Sequence, residues 1–144
     1  MVRRHAWLFP PRFGLIAAAI ALLLALASPE LDLLGGTTVA GNQTLDKTTS
    51  NALRVLELAG RGDVPVAAGA DRPLARELFI AAYVHGETGM DGPALPEPQG
   101  SAVPEHAVDF LAERILGSDR PVTIVPVGPL TNVALLLARY PEVV

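Results

Sequence analysis

VTIVPVGPLTNVALLLARYPEV, residues 122–143, joins two periodicities across a glycine and a proline. Val122 to Val127 is a short β-branched apolar run of the kind that forms a buried strand. Gly128-Pro129 ends it, and the pattern that resumes from Thr131 to Arg139 is helical. Strand, tight polar loop and helix make up the repeating unit of a parallel α/β sheet.

Working back from this unit, the same alternation runs along most of the chain. Ala19 to Ala27 is wholly apolar and reads as a buried helix ended by Ser28-Pro29. Leu31 to Val39 reads as a short strand, and Ala40-Gly41-Asn42 as a turn. Leu45 to Ala59 is a helix whose Leu45, Thr49, Ala52, Leu56 and Ala59 share one face, with Asp46 near its start and Gly60 beyond its end. Val64 to Ala68 is a second short strand, and Arg76 to Val84 is expected to be helical or a short structured approach to the loop HGETGMDG. Residues 93–104 carry four prolines and read as an exposed loop. Glu105 to Leu116 is an amphipathic helix with Ala107, Phe110, Leu111 and Ile115 inward. The fold class expected is α/β: an open, mostly parallel sheet with helices on both faces.

Composition narrows the function classes. The chain has 144 residues, half of them apolar, which suits one domain with one modest core. Net charge is −4, and ten of the eleven basic residues are scattered arginines, so nucleic-acid binding has little support. There is no cysteine, which excludes disulfides, thiol nucleophiles and cysteine-bound zinc. The chain has no G-x-S-x-G elbow and no phosphate-binding G-x-x-x-x-G-K-[ST] loop, and Lys47, the only lysine, lies inside a helix. Gly35-Gly36 within a strand is too little for a dinucleotide fingerprint.

The first 29 residues contain no Asp or Glu. Arg3-Arg4, an apolar run from Gly14 to Ala27, and Ala25-Leu26-Ala27 together have the layout of a secretory signal peptide. At 14 residues the run is too short for a stable membrane span.

In parallel sheets, ligands gather beyond the carboxyl ends of the strands. Three polar, glycine-containing loops occupy such places: AGN at 40–42, HGETGMDG at 85–92 and VGPLTN at 127–132. In this order and spacing, together with ALLLALASPELDLLGGTTVAGN at 21–42 and LDKTTSNALRVLELAGRGDVPVAAGADRPL at 45–74, they resemble the inosine–uridine-preferring nucleoside hydrolase family. The resemblance covers residues 19–144. It implies hydrolysis of the N-glycosidic bond of ribonucleosides to ribose and base, a bound calcium ion, and homo-oligomeric relatives. It also makes Ala19 to Pro29 the family's first helix, so that cleavage after Ala27 would bare the sheet. A cytoplasmic protein is then expected rather than an exported one.

The resemblance also marks a gap. The family places an aspartate-rich motif, DTDPGIDD, just before the first helix, and its paired aspartates fall on Ala17 and Ala18 here. Methyl groups neither bind calcium nor take a proton from water, so no catalytic residue is assigned and calcium is not expected to be bound. The division expected is an atypical segment 1–18, signal-like or the product of an altered reading frame or mis-set start, and a partial nucleoside hydrolase-like α/β domain 19–144. The family also places a further Asp ligand and a His beside the leaving base in a later region, so this chain is expected to be an inactive portion.

By resemblance, Asn42 stands near water and ribose, His85 lies at the base end of the pocket, and the backbone carbonyl of Val127 ligates calcium. Asn42 is also an ordinary turn residue, a lone His is commonly structural, and Val127 could simply end a strand. Asp91 reads as a turn former, Thr131 and Asn132 as caps of the last helix, and His106 as a solvated residue. The rival reading is an exported, non-catalytic α/β binding domain with residues 1–27 as its signal.

Overall fold

The computed structural model describes residues 14–92 and 94–144. The expectation about the arginine pair Arg3-Arg4 lies outside the described residues. Element order is α1 (Gly14–Ala27), β1 (Gly36–Thr38), α2 (Leu45–Leu58), β2 (Val66–Ala68), α3 (Ala82–His85), α4 (Ala107–Leu116) and α5 (Thr131–Arg139), closed by a 3-10 turn at Pro141–Val143.

The sheet is parallel, as the helix-strand alternation requires. β1 pairs with β2 in the register Gly36–Val66, Thr37–Ala67 and Thr38–Ala68. Val103 adds an isolated parallel bridge to Ala67, on the other edge of β2. Successive strand residues point to opposite faces, and β2 uses both. Val66 joins Leu56 and Val64 in a cluster that Leu22 and Leu26 of α1 and Ala52 and Leu53 of α2 complete. Ala67 packs instead with Ala107 and Phe110 of α4. Helices therefore cover both faces of a small, incomplete α/β sheet. A third cluster joins α4 to α5 through Val108, Ala112 and Leu136.

Local chemistry explains the boundaries that hold. α2 ends where Gly60 takes φ +71°, with Gly60 and Arg61 N–H donating to Glu57 and Leu56 carbonyls at 2.9 and 2.8 Å. This is the glycine C-cap that the sequence signals. α4 starts at His106, exposed as expected, whose Nδ1 accepts from Val108 N–H at 3.2 Å. α5 has the bounds expected of it.

Several expectations are corrected. The two strands are shorter than read: Leu31–Val39 contracts to Gly36–Thr38, and Val64–Ala68 to Val66–Ala68. At Gly35 the chain passes so close to the Phe110 ring that a Cβ would stand 2.6 Å from it, so α4 occupies the space a side chain there would need. Arg76–Val84 is helical only from Ala82. α1 is not a buried helix. One face packs on the Leu56 cluster, while Ile20, Leu23 and Leu24 are exposed. Val122–Val127 forms no strand: Val122 and Ile124 are half-buried, but Val125 and Val127 are 73% and 52% exposed. Its backbone has no ladder partner among the described residues, and apolar character without a partner strand makes no sheet.

Candidate functional site

The three polar loops converge at the carboxyl end of the sheet. Ala40 N–H, just past β1, donates to the Ala70 carbonyl just past β2 at 2.9 Å. The AGN turn then meets both other loops. A Cβ on Gly41 would lie 2.8 Å from Pro129 Cγ, and one on Gly128 would lie 3.8 Å from Val39 Cγ1. Gly41 is thus required by close approach of the VGPLTN loop. On the other side, the Asn42 carbonyl accepts from Ala81 N–H at 3.0 Å, at the entrance to α3.

Asn42 and His85, 43 residues apart, are brought together: Asn42 Nδ2 lies 3.0 Å from His85 Nε2. In this orientation the Asn42 NH₂ can only donate, which pairs it with the tautomer of His85 whose Nε2 accepts and whose Nδ1 carries the proton. His85 is buried and Asn42 exposed. The result is an uncharged corner in which an exposed amide, backed by an imidazole, presents donors and an acceptor to solvent. Such a corner suits a neutral ligand rich in hydroxyls or ring nitrogens. Two clefts, of about 450 and 220 Å³, lie elsewhere, one beside the 3-10 turn and one between α2 and residues 100–103.

The HGETGMDG loop is held by its own residues and by α2. Asp91 accepts from the N–H groups of Glu87 and Thr88 at 3.2 and 3.1 Å and from the Thr88 hydroxyl. The Thr88 hydroxyl, then the backbone N–H groups, hold the Asp91 carboxyl below the usual range. Asp91 is thus the turn former that its loop position suggests. Gly86 takes φ +74°, and a Cβ there would overlap the Asp91 carboxyl. From the α2 side, Gln43 Nε2 donates to Gly86 and Glu87 carbonyls at 2.8 and 3.4 Å, and Asn51 Nδ2 to the Thr88 carbonyl at 2.9 Å.

Asn132 does something other than cap α5. Leu130 is the N-cap residue and no side chain caps the helix. Asn132 is 5% exposed; its Nδ2 donates to the Thr38 carbonyl at 2.9 Å and its Oδ1 accepts from Ala70 N–H at 2.9 Å. It ties α5 to the ends of both strands, and Gly69 is required because a Cβ there would overlap the Asn132 amide. Thr131 is likewise buried. The roles of Gln43, Asn51 and Asn132 went unread in the sequence. The available signal was a polar residue on an apolar helix face for Asn51 and Asn132; Gln43, in the turn before α2, carried none.

The remaining candidates do not join this corner as side chains. Val127 is exposed, and of the residues that follow, Pro129 stands against Gly41 and Gly128 against Val39. Ala17 and Ala18 lie within α1, and no group of three or more His, Asp or Glu side chains able to hold a metal occurs among the described residues. Calcium takes six to eight oxygens, several of them carboxylates. The described residues assemble no such set. No helix among the described residues is long and apolar enough to cross a membrane.

The likeness to known proteins is extensive. Residues 14–144 match the family described as inosine-uridine preferring nucleoside hydrolase. A pyrimidine-specific ribonucleoside hydrolase of Shewanella sp. (strain MR-4) is 63% identical over 124 residues, which cover 86% of this chain and 39% of that protein. Its counterpart from Photobacterium profundum is 61% identical, with 40% of its length covered. A solved purine-preferring ribonucleoside hydrolase from Gardnerella vaginalis superposes with a TM-score of 0.80 at 31% identity, covering 92% of this chain and 43% of that one. A plant nucleoside hydrolase superposes at 0.78 with 39% identity, covering 87% and 40%. The chain spans about two fifths of the length of the curated relatives it matches. With the sheet order, the converging loops and this match along residues 14–144 all in agreement, the chain belongs to the inosine-uridine preferring nucleoside hydrolase family.

Proposed function

We propose that this chain supplies one wall of a ribonucleoside site and that, by itself, it does not cleave the N-glycosidic bond. The observation that carries the first half is the Asn42–His85 pair at 3.0 Å, assembled from two loops at the carboxyl end of the sheet. Its neutral donors and acceptor match ribose hydroxyls and the edge of a base. Relatives differ in base, one named pyrimidine-specific and another purine-preferring. The reading therefore commits to ribonucleosides and to no particular base.

The second half rests on what cleavage demands. The ribose–base bond breaks through an oxocarbenium-like state, so water must be activated and the leaving base assisted. Ala17 and Ala18 provide no carboxylate to take a proton from water. The described residues assemble no carboxylate set for calcium, so the reading includes no metal held by this chain alone. His85, with Nε2 accepting from Asn42, contributes hydrogen bonding and ring placement. Homo-oligomeric assembly and a cytoplasmic location belong to the same reading. α1 stays in the mature chain because Leu22 and Leu26 complete the Leu56 cluster. An N-terminus beginning at Ser28, found by mass spectrometry, would favour an exported binding domain instead.

The decisive measurement is base release from inosine and uridine by chromatography, with calcium present and a contamination control. No release above the uncatalysed rate is expected. Turnover that disappears in Asn42→Ala would show a working site and overturn the inactivity. Saturable binding of uridine or inosine lost in Asn42→Ala is expected, and identical titrations for both proteins would remove the proposed wall.

A further inference from the structure

α3 is only four residues long. So short a helix has no stability of its own, yet it carries the buried His85. What fixes the histidine must come from elsewhere. Gln43 is 0% and Asn51 4% exposed, and both spend their amide NH₂ groups on the loop that follows His85: Gln43 on the carbonyls of Gly86 and Glu87, Asn51 on that of Thr88. Three successive carbonyls are thereby held toward α2. The opposite side of the loop is held by Asp91, which takes the N–H groups of Glu87 and Thr88. Gln43 cannot be turned over in place, because its Oε1 would then face two carbonyl oxygens.

We propose that Gln43 and Asn51 are positioning residues. They act through the 86–88 backbone to keep His85 Nε2 against Asn42 Nδ2 and so select the tautomer of His85 protonated on Nδ1. This rests on the reading of His85 as part of the ribonucleoside site, and it extends that site to two side chains that touch no ligand. The amide NH₂ groups of both residues bond loop carbonyls and not the imidazole. A role in stability alone would alter melting without altering which ring nitrogen carries the proton.

The test is long-range ¹⁵N–¹H correlation of the histidine rings at a pH where they are neutral, with His85 assigned by His85→Ala. The parent should show His85 Nδ1 protonated and Nε2 bare. Gln43→Met keeps the volume and removes the donor; it is expected to convert His85 to a mixed or Nε2-protonated pattern, as Asn42→Ala should, while amide signals of β1 and β2 stay in place. Asn51→Asp, which keeps size and removes the donor, should do the same to a smaller extent and carries the test if Gln43→Met fails to fold. A parent ring protonated on Nε2, or an unchanged His85 pattern in the folded variants, overturns the proposal. No ligand enters the experiment, so failure of the ribonucleoside reading would show separately, in the binding titration.

Discussion

α2 with the 85–91 loop, and residues 117–130, are two regions of one small protein that contrast in how sequence becomes structure. The first is rich in polar residues, and its side chains are tied by hydrogen bonds. Thr38 and Thr49 hydroxyls meet at 2.7 Å in the interior, Gln43 and Asn51 hold three loop carbonyls, and Leu56 is buried beneath them. The second contains the most strand-like apolar run in the chain, and it lies largely exposed with no ladder partner among the described residues. A buried amide with two partners specifies a position, whereas an apolar run specifies only a preference for burial. Whether that preference is met depends on what lies alongside.

Substitutions can break this contrast if it is wrong. The largest effect is expected for Leu56→Ala, which empties space beneath both α1 and β2. A loss of about 2–5 kcal/mol is expected in denaturant unfolding. A loss no larger than that of a surface change would mean that the first region is not the stable one. Next comes Asn132→Ala. It leaves Ala70 N–H without a partner and the Thr38 carbonyl with only Gly69 N–H, and about 1–3 kcal/mol should be lost. Near-neutrality would show that α5 is not tied to the strand ends through this amide.

A pH experiment sharpens the comparison without mutation. Glu57 accepts from Gly100 and Gln99 N–H at 2.7 and 2.9 Å, and these bonds, Gly100 first, hold its carboxyl below the usual range. A carboxyl lowered by folding stabilises the fold above its ordinary pKa, and that contribution disappears as pH falls through the lowered value. The amides of Gln99 and Gly100 should therefore lose protection from exchange in moderately acid solution, after correction for intrinsic rates. Those of Thr123 and Val125 should show little protection at any pH. Slow exchange at residues 123–127 near neutrality would demand a paired strand there and would erase the contrast. The smallest effect belongs to Val125→Thr: with a 73% exposed side chain, stability should move by no more than about 0.5 kcal/mol.

Much of the site was legible because its signals were local. Asn42 was marked by a turn, His85 by a polar loop, and both by the resemblance of their loops to a known family. That they would touch was not legible, since the contact spans 43 residues and depends on Ala81 N–H docking on the Asn42 carbonyl. Gln43 and Asn51 were hidden for a related reason. A polar residue near an apolar helix face reads as solvated unless the carbonyls it will meet are already known.

What the sequence determined by itself was periodicity, punctuation and loss. The existence of the longer helices, the Gly60 end of α2, the bounds of α5, the parallel class and the alanines at positions 17 and 18 follow from residue types and spacings along the chain. Those properties arise from interactions within a few residues. The tertiary structure alone decided the length of each strand, the exposure of Val125 and Val127, the bridging role of Asn132 and the pairing of Asn42 with His85. Each of these depends on whether a backbone or side-chain group distant in sequence is within hydrogen-bonding or packing reach. Reach of that kind exists only once β1, β2 and the helices on both faces have come together.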